Sequence, residues 1–128
     1  MSSKLILLAF ILFPISQLCF ADGEKTYKEV CSVCHTAGVA NAPKLGDQNA
    51  WKKLIGEGQV IITAHGYVGV RAMPPKGGNP NLTVEAFSDA LVYIVNNSGG
   101  KWTSPDAKTV AAINKEIEER KAGLNKKQ

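Results

Sequence analysis

The chain has 128 residues, 45% of them hydrophobic, and 15 Lys/Arg against 11 Asp/Glu give it a formal charge of +4. That length holds one domain with a targeting segment or tail and excludes two independent cores. The charge is uneven: Asp22 to Gly100 carries seven basic and seven acidic residues, Lys101 to Gln128 seven basic and four acidic, and with no aromatic residues alternating among those cations nucleic-acid binding is excluded.

The first element in chain order is a targeting segment. Lys4 precedes the unbroken apolar run Leu5 to Phe13, and Pro14, Ser16 and Gln17 come after it. This is the pattern of a secretory signal peptide, with cleavage after Ala21 and small Cys19 two positions before it. The run falls short of the ~20 residues a bilayer span needs, so the mature chain is expected in the periplasm, with membrane contact only indirect. Cleavage leaves two cysteines, Cys31 and Cys34. A disulfide between them would close too small a loop to restrain the unfolded chain, whereas an exported domain of this size needs a substantial staple.

The rest of the chain reads as helices separated by Gly and Pro loops. Residues 24–35 carry Tyr27, Val30, Cys31 and Cys34 at helical spacing, with Asp22 and Glu24 at the end that favours negative charge. Residues 36–47 contain Gly38, Pro43 and Gly46 and read as a loop. Asn49 is then the expected cap of a short helix with Trp51, Leu54 and Ile55, closed by Gly56 and Gly58. Val60 to Tyr67 is β-branched at its start, yet no second alternating run pairs with it, and a helix is predicted. Gly69 to Leu82 holds too many breakers for a regular element. Thr83 caps the longest core helix, whose apolar face is Phe87, Ala90, Leu91, Ile94 and Val95, ending at Gly99 and Gly100. Ser104 and Pro105 start a last helix to about Lys121, with Val110, Ile113 and Ile117 as a narrow stripe among charges. Residues 1–21 are thus read as signal peptide, 22–100 as the domain and 101–128 as a separate basic helical extension.

Cys31, Ser32, Val33, Cys34 and His35 spell C-x-x-C-H, the mark of covalent haem attachment. Two thiols three positions apart on one helical turn reach the two vinyl groups on one porphyrin edge, and the next residue, His35, meets the iron from one side. Other uses of the pentapeptide are a dithiol redox motif, a surface disulfide and a structural zinc site. The first needs βαβ surroundings that are absent here. Zinc has a possible set in Cys31, Cys34, His35 and His65, but adjacent Cys34 and His35 would have to aim at one ion.

The iron's second axial position has one sulfur candidate. Met73 is the only methionine left after signal removal, and it lies in the breaker-rich loop, backed by Pro74 and Pro75. A thioether favours ferrous iron and raises the potential. His65 competes for that position; its plainer readings are a half-exposed helix residue or a propionate partner. With both axial positions filled, no small-molecule substrate can bind, and electron transfer remains.

These residues resemble a known family. The C-x-x-C-H motif, Ala42-Pro43-Lys44-Leu45, Met73-Pro74-Pro75-Lys76-Gly77-Gly78 and the Tyr93-Ile94 helix look like class I cytochromes c, nearest to the bacterial cytochrome c5 group. The resemblance spans roughly Asp22 to Ser98. It implies an all-α, small cytochrome c fold around one haem c, with thioethers at Cys31 and Cys34, iron ligands His35 and Met73, and the Pro43 carbonyl accepting from the His35 ring. The first helix would cross the last, setting Tyr27 and Val30 against Phe87, Leu91 and Ile94. The cysteine pair that some c5 members carry after the Met loop is absent, and the extension lies outside the pattern.

The implied role is a one-electron carrier, not an enzyme, serving redox partner proteins of a respiratory chain. A second reading is a haem subunit docked in an oxidoreductase complex through residues 105–121, although a solvated helix laced by pairs such as Glu116 with Arg120 is the commoner case. Trp51 and Arg71 are candidate propionate partners, with core packing and a solvated charge as their plainer roles. Tyr67 either bonds the Met73 sulfur or packs in the core.

Overall fold

A computed structural model of the chain describes residues 19–125, so residues 1–18 of the expected signal peptide lie outside the described residues. The described elements are α1 (Cys19–Thr26), a wide π turn (Tyr27–Cys31), α2 (Ser32–His35), α3 (Gln48–Glu57), α4 (Gln59–Val68), α5 (Val84–Asn96) and α6 (Ala107–Asn125), with short 3₁₀ turns at Val39–Asn41 and Pro75–Gly78. Among the described residues there is no strand, only an isolated bridge between Val70 and Met73. The expected all-α architecture stands, and the ambiguous segment after Gly58 is helical.

The amino-terminal helix runs without a break through α1, the π turn and α2. Lys25–Glu29 and Glu24–Lys28 pair on its outer face at 2.8 and 2.7 Å, while Tyr27 and Cys31 turn inward at 4% and 7% exposure. This helix crosses α5. At the crossing a Cβ on Gly23 would collide with the Asp89 carbonyl group, so glycine lets the two backbones touch. Tyr27 and Cys31 share one core cluster with Trp51, Ile62, Ala90, Leu91, Ile94 and Val95, and Val30 packs beside it. The Tyr27 and Tyr93 rings lie 5.3 Å apart. Phe87 departs from the expected crossing: it stacks edge-on against Tyr67 at 5.6 Å, because its register on α5 faces α4.

Two helix starts differ from expectation. Asp47, not Asn49, caps α3 by accepting from the Ala50 N–H at 3.0 Å, because its backbone is non-helical (φ −78°, ψ 88°) as an N-cap requires, whereas Asn49 is already inside the helix. Asp106 caps α6 in the same way, accepting from the Thr109 N–H at 2.8 Å, and that helix runs to Asn125. Thr83 caps α5 as expected, accepting from the Ala86 N–H at 3.1 Å.

The extension is not a free appendage. Its connector is clasped first: the Trp102 N–H donates to the Asn96 side-chain oxygen at 2.7 Å, Asn96 donates back to the Trp102 carbonyl at 2.8 Å, and Gln59 donates to the Thr103 carbonyl at 2.9 Å. Ile113 and Ile117 then bury to 0% and 3% against Ala64, with Val60, Tyr67, Val68 and Val84 around them. The stripe read from the sequence is therefore covered by α4, and the outer face is solvated. Its described ion pairs are Lys115–Glu119 at 3.0 Å and Lys121–Glu118 at 2.9 Å, rather than Glu116 with Arg120. No helix of the described residues is long and apolar enough to cross a membrane.

Candidate functional site

The site is built first from the turn that ends the amino-terminal helix. A π turn takes one residue more than an α turn and re-phases the residues after it; here the Ser32 N–H reaches the Tyr27 carbonyl. Beyond that point Cys31 and His35, four apart, lie on the inner face at 7% and 8% exposure, Cys34 is half-buried and Val33 points out at 73%. Both thiols are free. Burial pushes the Cys31 thiol up to about 11.

The chain then folds back over His35. Gly38 takes a left-handed φ of 79°, and a Cβ there would press on Lys44 at 2.7 Å. The return brings the Leu45 N–H to the His35 carbonyl at 2.7 Å, and Pro43 to the His35 ring, with Nδ1 at 2.8 Å from the Pro43 carbonyl oxygen. A carbonyl only accepts, so Nδ1 carries the proton and Nε2 is left with its lone pair. Trp51 packs near the ring, its centroid 6.1 Å away.

Met73 belongs to a second wall. Val70 and Met73 exchange backbone bonds at 3.1 and 2.9 Å directly after α4. The chain turns there at Gly69, φ 98°, where a Cβ would press on Pro75 and the Met73 carbonyl within 3.2 Å. The Met73 methyl lies 3.7 Å from where a Cβ on Gly66 would stand, and that Cβ would press on the Phe87 ring at 2.8 Å. Gly66 is thus the small residue that lets Phe87 and Met73 approach α4. It is not among the residues singled out from the sequence, although an isolated glycine inside a helical stretch is the signal for such an approach. The two walls meet where Gly77 abuts Val30, a Cβ on Gly77 lying 3.1 Å from the Val30 side chain.

Other candidates are engaged elsewhere. The Trp51 indole N–H donates to the Lys44 carbonyl at 2.9 Å, and the residue is 3% exposed, so it packs in the core. The Tyr67 hydroxyl donates to the Leu82 carbonyl at 3.0 Å, not to Met73. Arg71 is exposed at a positive φ of 54°. His65 is half-buried on α4 near Arg120 and Glu116 of α6 and Glu57 of α3, and burial, then the Arg120 charge, lowers its pKa. No three His, Cys, Asp or Glu side chains converge among the described residues, so Cys31, Cys34, His35 and His65 do not form the tetrahedral set zinc requires.

Residues 20–94 match the family described as "Cytochrome C oxidase, cbb3-type, subunit III". Cytochrome c-555 of Chlorobaculum thiosulfatiphilum is 42% identical over 82 residues, which cover 61% of this chain and 95% of that protein. Cytochrome c5 of Ectopseudomonas mendocina is 49% identical over 63 residues, covering 48% and 72%. The chain belongs to the class I c-type cytochromes, close to the c5 group. A solved structure titled "Crystal structure of electron transfer complex of nitrite reductase with cytochrome c" matches this cytochrome at a TM-score of 0.58 and 40% identity, covering 60% of this chain and 94% of that one. Membership carries the small cytochrome c fold, one covalently bound haem c with its iron, and the work of a monohaem electron carrier. The family match ends at Ile94 in α5, before α6 begins.

Proposed function

We propose that Cys31 and Cys34 carry the thioethers, that His35 and Met73 are the axial iron ligands, and that Pro43 orients His35. The observation that supports this most directly is the 2.8 Å bond from His35 Nδ1 to the Pro43 carbonyl, on the helix end that carries Cys31 and Cys34. It fixes the tautomer and leaves Nε2 for metal. The donor set fits haem c: two thiols on one turn, one imidazole with a defined lone pair, and one thioether on the neighbouring wall. The bound group supplies a one-electron ferric/ferrous couple, and a His/Met pair sets it toward high potential.

With both axial positions held by side chains, the protein is a carrier and not an enzyme. Its partners are redox proteins, in keeping with the electron-transfer complex named for the structural relative. Val33 and Val39, 73% and 50% exposed, flank the cysteine turn and offer an apolar surface for a transient encounter. The apolar targeting pattern at residues 5–13 supports export to the periplasm and a mature chain from Asp22. Docking in a larger complex through the extension is the weaker reading, since Ile113 and Ile117 are already covered by α4.

A visible spectrum of protein from the periplasm tests the assignment. It should be red, keep its haem under denaturing conditions and show a weak near-red sulfur-to-iron band in the ferric state, and Met73→Ala should abolish that band. Survival of the band in this variant refutes Met73 as ligand.

A further inference from the structure

The extension helix is not covered by the family match, yet it lies along α4 more extensively than any other described element does. Its two buried residues, Ile113 and Ile117, pack on the α4 positions Ala64, Tyr67 and Val68. Those last two positions end the helix immediately before Gly69, the turn from which the Met73 loop is suspended by the Val70–Met73 bonds. Tyr67 ties the far side of the same loop, donating to the Leu82 carbonyl at 3.0 Å, with the Lys76 ammonium 5.0 Å over its ring. These restraints on the Met73 loop all run through the last turn of α4, and α6 backs that turn.

We propose that α6 is a positioning element for the iron's sulfur ligand: Ile113 and Ile117 hold the end of α4 in place, and through it hold Met73 against release. This rests on Met73 being the axial ligand. A packed helix end has few alternative arrangements, whereas one with an empty groove behind it can shift and let the loop swing away. The helix therefore sets how often the thioether leaves the iron.

Imidazole measures that directly, since it binds ferric iron only after Met73 has left and its apparent affinity scales with the fraction of open molecules. In the full-length holoprotein, the double variant Ile113→Ala, Ile117→Ala should bind imidazole about tenfold more tightly than wild type and show a weakened near-red band while remaining folded by far-UV dichroism. Ile55→Ala, on α3 and away from α4's last turn, should lower thermal stability yet leave imidazole affinity within about twofold. If the double variant does not fold, Ile117→Val, which removes one methyl group, should still tighten imidazole binding about twofold. Imidazole affinity and band intensity equal to wild type in the folded α6 variants would overturn the proposal. A wild-type ferric protein with no near-red band would instead overturn the Met73 assignment itself, before α6 is at issue.

Discussion

The cysteine turn and the Met73 loop, the two walls of the proposed site, touch through Val30 and Gly77 and are held by opposite means. On the cysteine side the restraints are local: one helix end carries both thiols and His35, and the bond that fixes the imidazole joins residues eight apart. On the methionine side they are distant: Tyr67 reaches Leu82 across fifteen positions, Phe87 comes from α5, and the isoleucines that back α4 come from α6. Local restraints persist as long as one turn is formed, whereas distant ones fail when packing loosens. The methionine wall is therefore the part expected to open first, at sub-global cost.

The largest effect should come from the local side. Replacing both Cys31 and Cys34 with Ser should remove covalent haem completely, checked by haem staining after denaturing electrophoresis; a stained band at full intensity would show that attachment lies elsewhere. Next is the helix crossing that supports this side. Gly23→Ala puts a Cβ into the Asp89 backbone, neither partner can rotate away, and the cost should be about 1–3 kcal/mol. Denaturant unfolding measures it, and a midpoint equal to wild type would mean that the two backbones have room to part at the crossing.

The same contrast separates what is legible in the sequence from what is not. Cys31 to His35 and Met73 are proposed for the site because their residue types and spacing suit the chemistry, and α5 can be read because Thr83 and the face from Phe87 to Val95 share one period. Periodicity gives the width of an apolar face but not its partner. Hence the family crossing places Phe87 beside Tyr27 and Val30 where the fold sets it against Tyr67, and the sequence shows the Val110–Ile113–Ile117 stripe without α4 opposite it. Tyr67 and Trp51 have polar tips that suit several acceptors, and only the folded chain selects Leu82 and Lys44. The π turn at Tyr27–Cys31 leaves no mark in the sequence. Asp47 and Asn49 are both good caps two positions apart, and the direction of the incoming loop chooses between them.

A smaller effect sharpens the comparison on the methionine side. Tyr67→Phe removes the hydroxyl that donates to the Leu82 carbonyl and keeps the ring that meets Phe87 and Lys76. The cost in global stability should be about 1 kcal/mol. If the methionine wall is the weaker one, this variant should lose the near-red band on warming well before it unfolds, while the haem stays attached. Simultaneous loss of band and fold would place the two walls in one cooperative unit.

The smallest expected effect is a pH dependence at the α4–α6 contact. The groups facing His65 are Arg120 and Glu116 from α6 and Glu57 from α3, and the lowered pKa arises first from burial and second from the Arg120 charge. A histidine held below its ordinary value of 6.5 is protonated more readily in the unfolded chain. Above that value both states are neutral and stability is unaffected; as pH falls through it, the unfolded chain gains protons first and stability drops, levelling off below the folded value. Denaturant midpoints measured from pH 7.5 down to about 5 should therefore decline slightly, and His65→Gln should flatten that part of the curve. Because His65 sits on the α6 side of α4 and not beside His35, the near-red band of the variant should keep its wild-type intensity at pH 7. A change there would mean that charge at this contact, and not only the packing of Ile113 and Ile117, reaches the methionine wall.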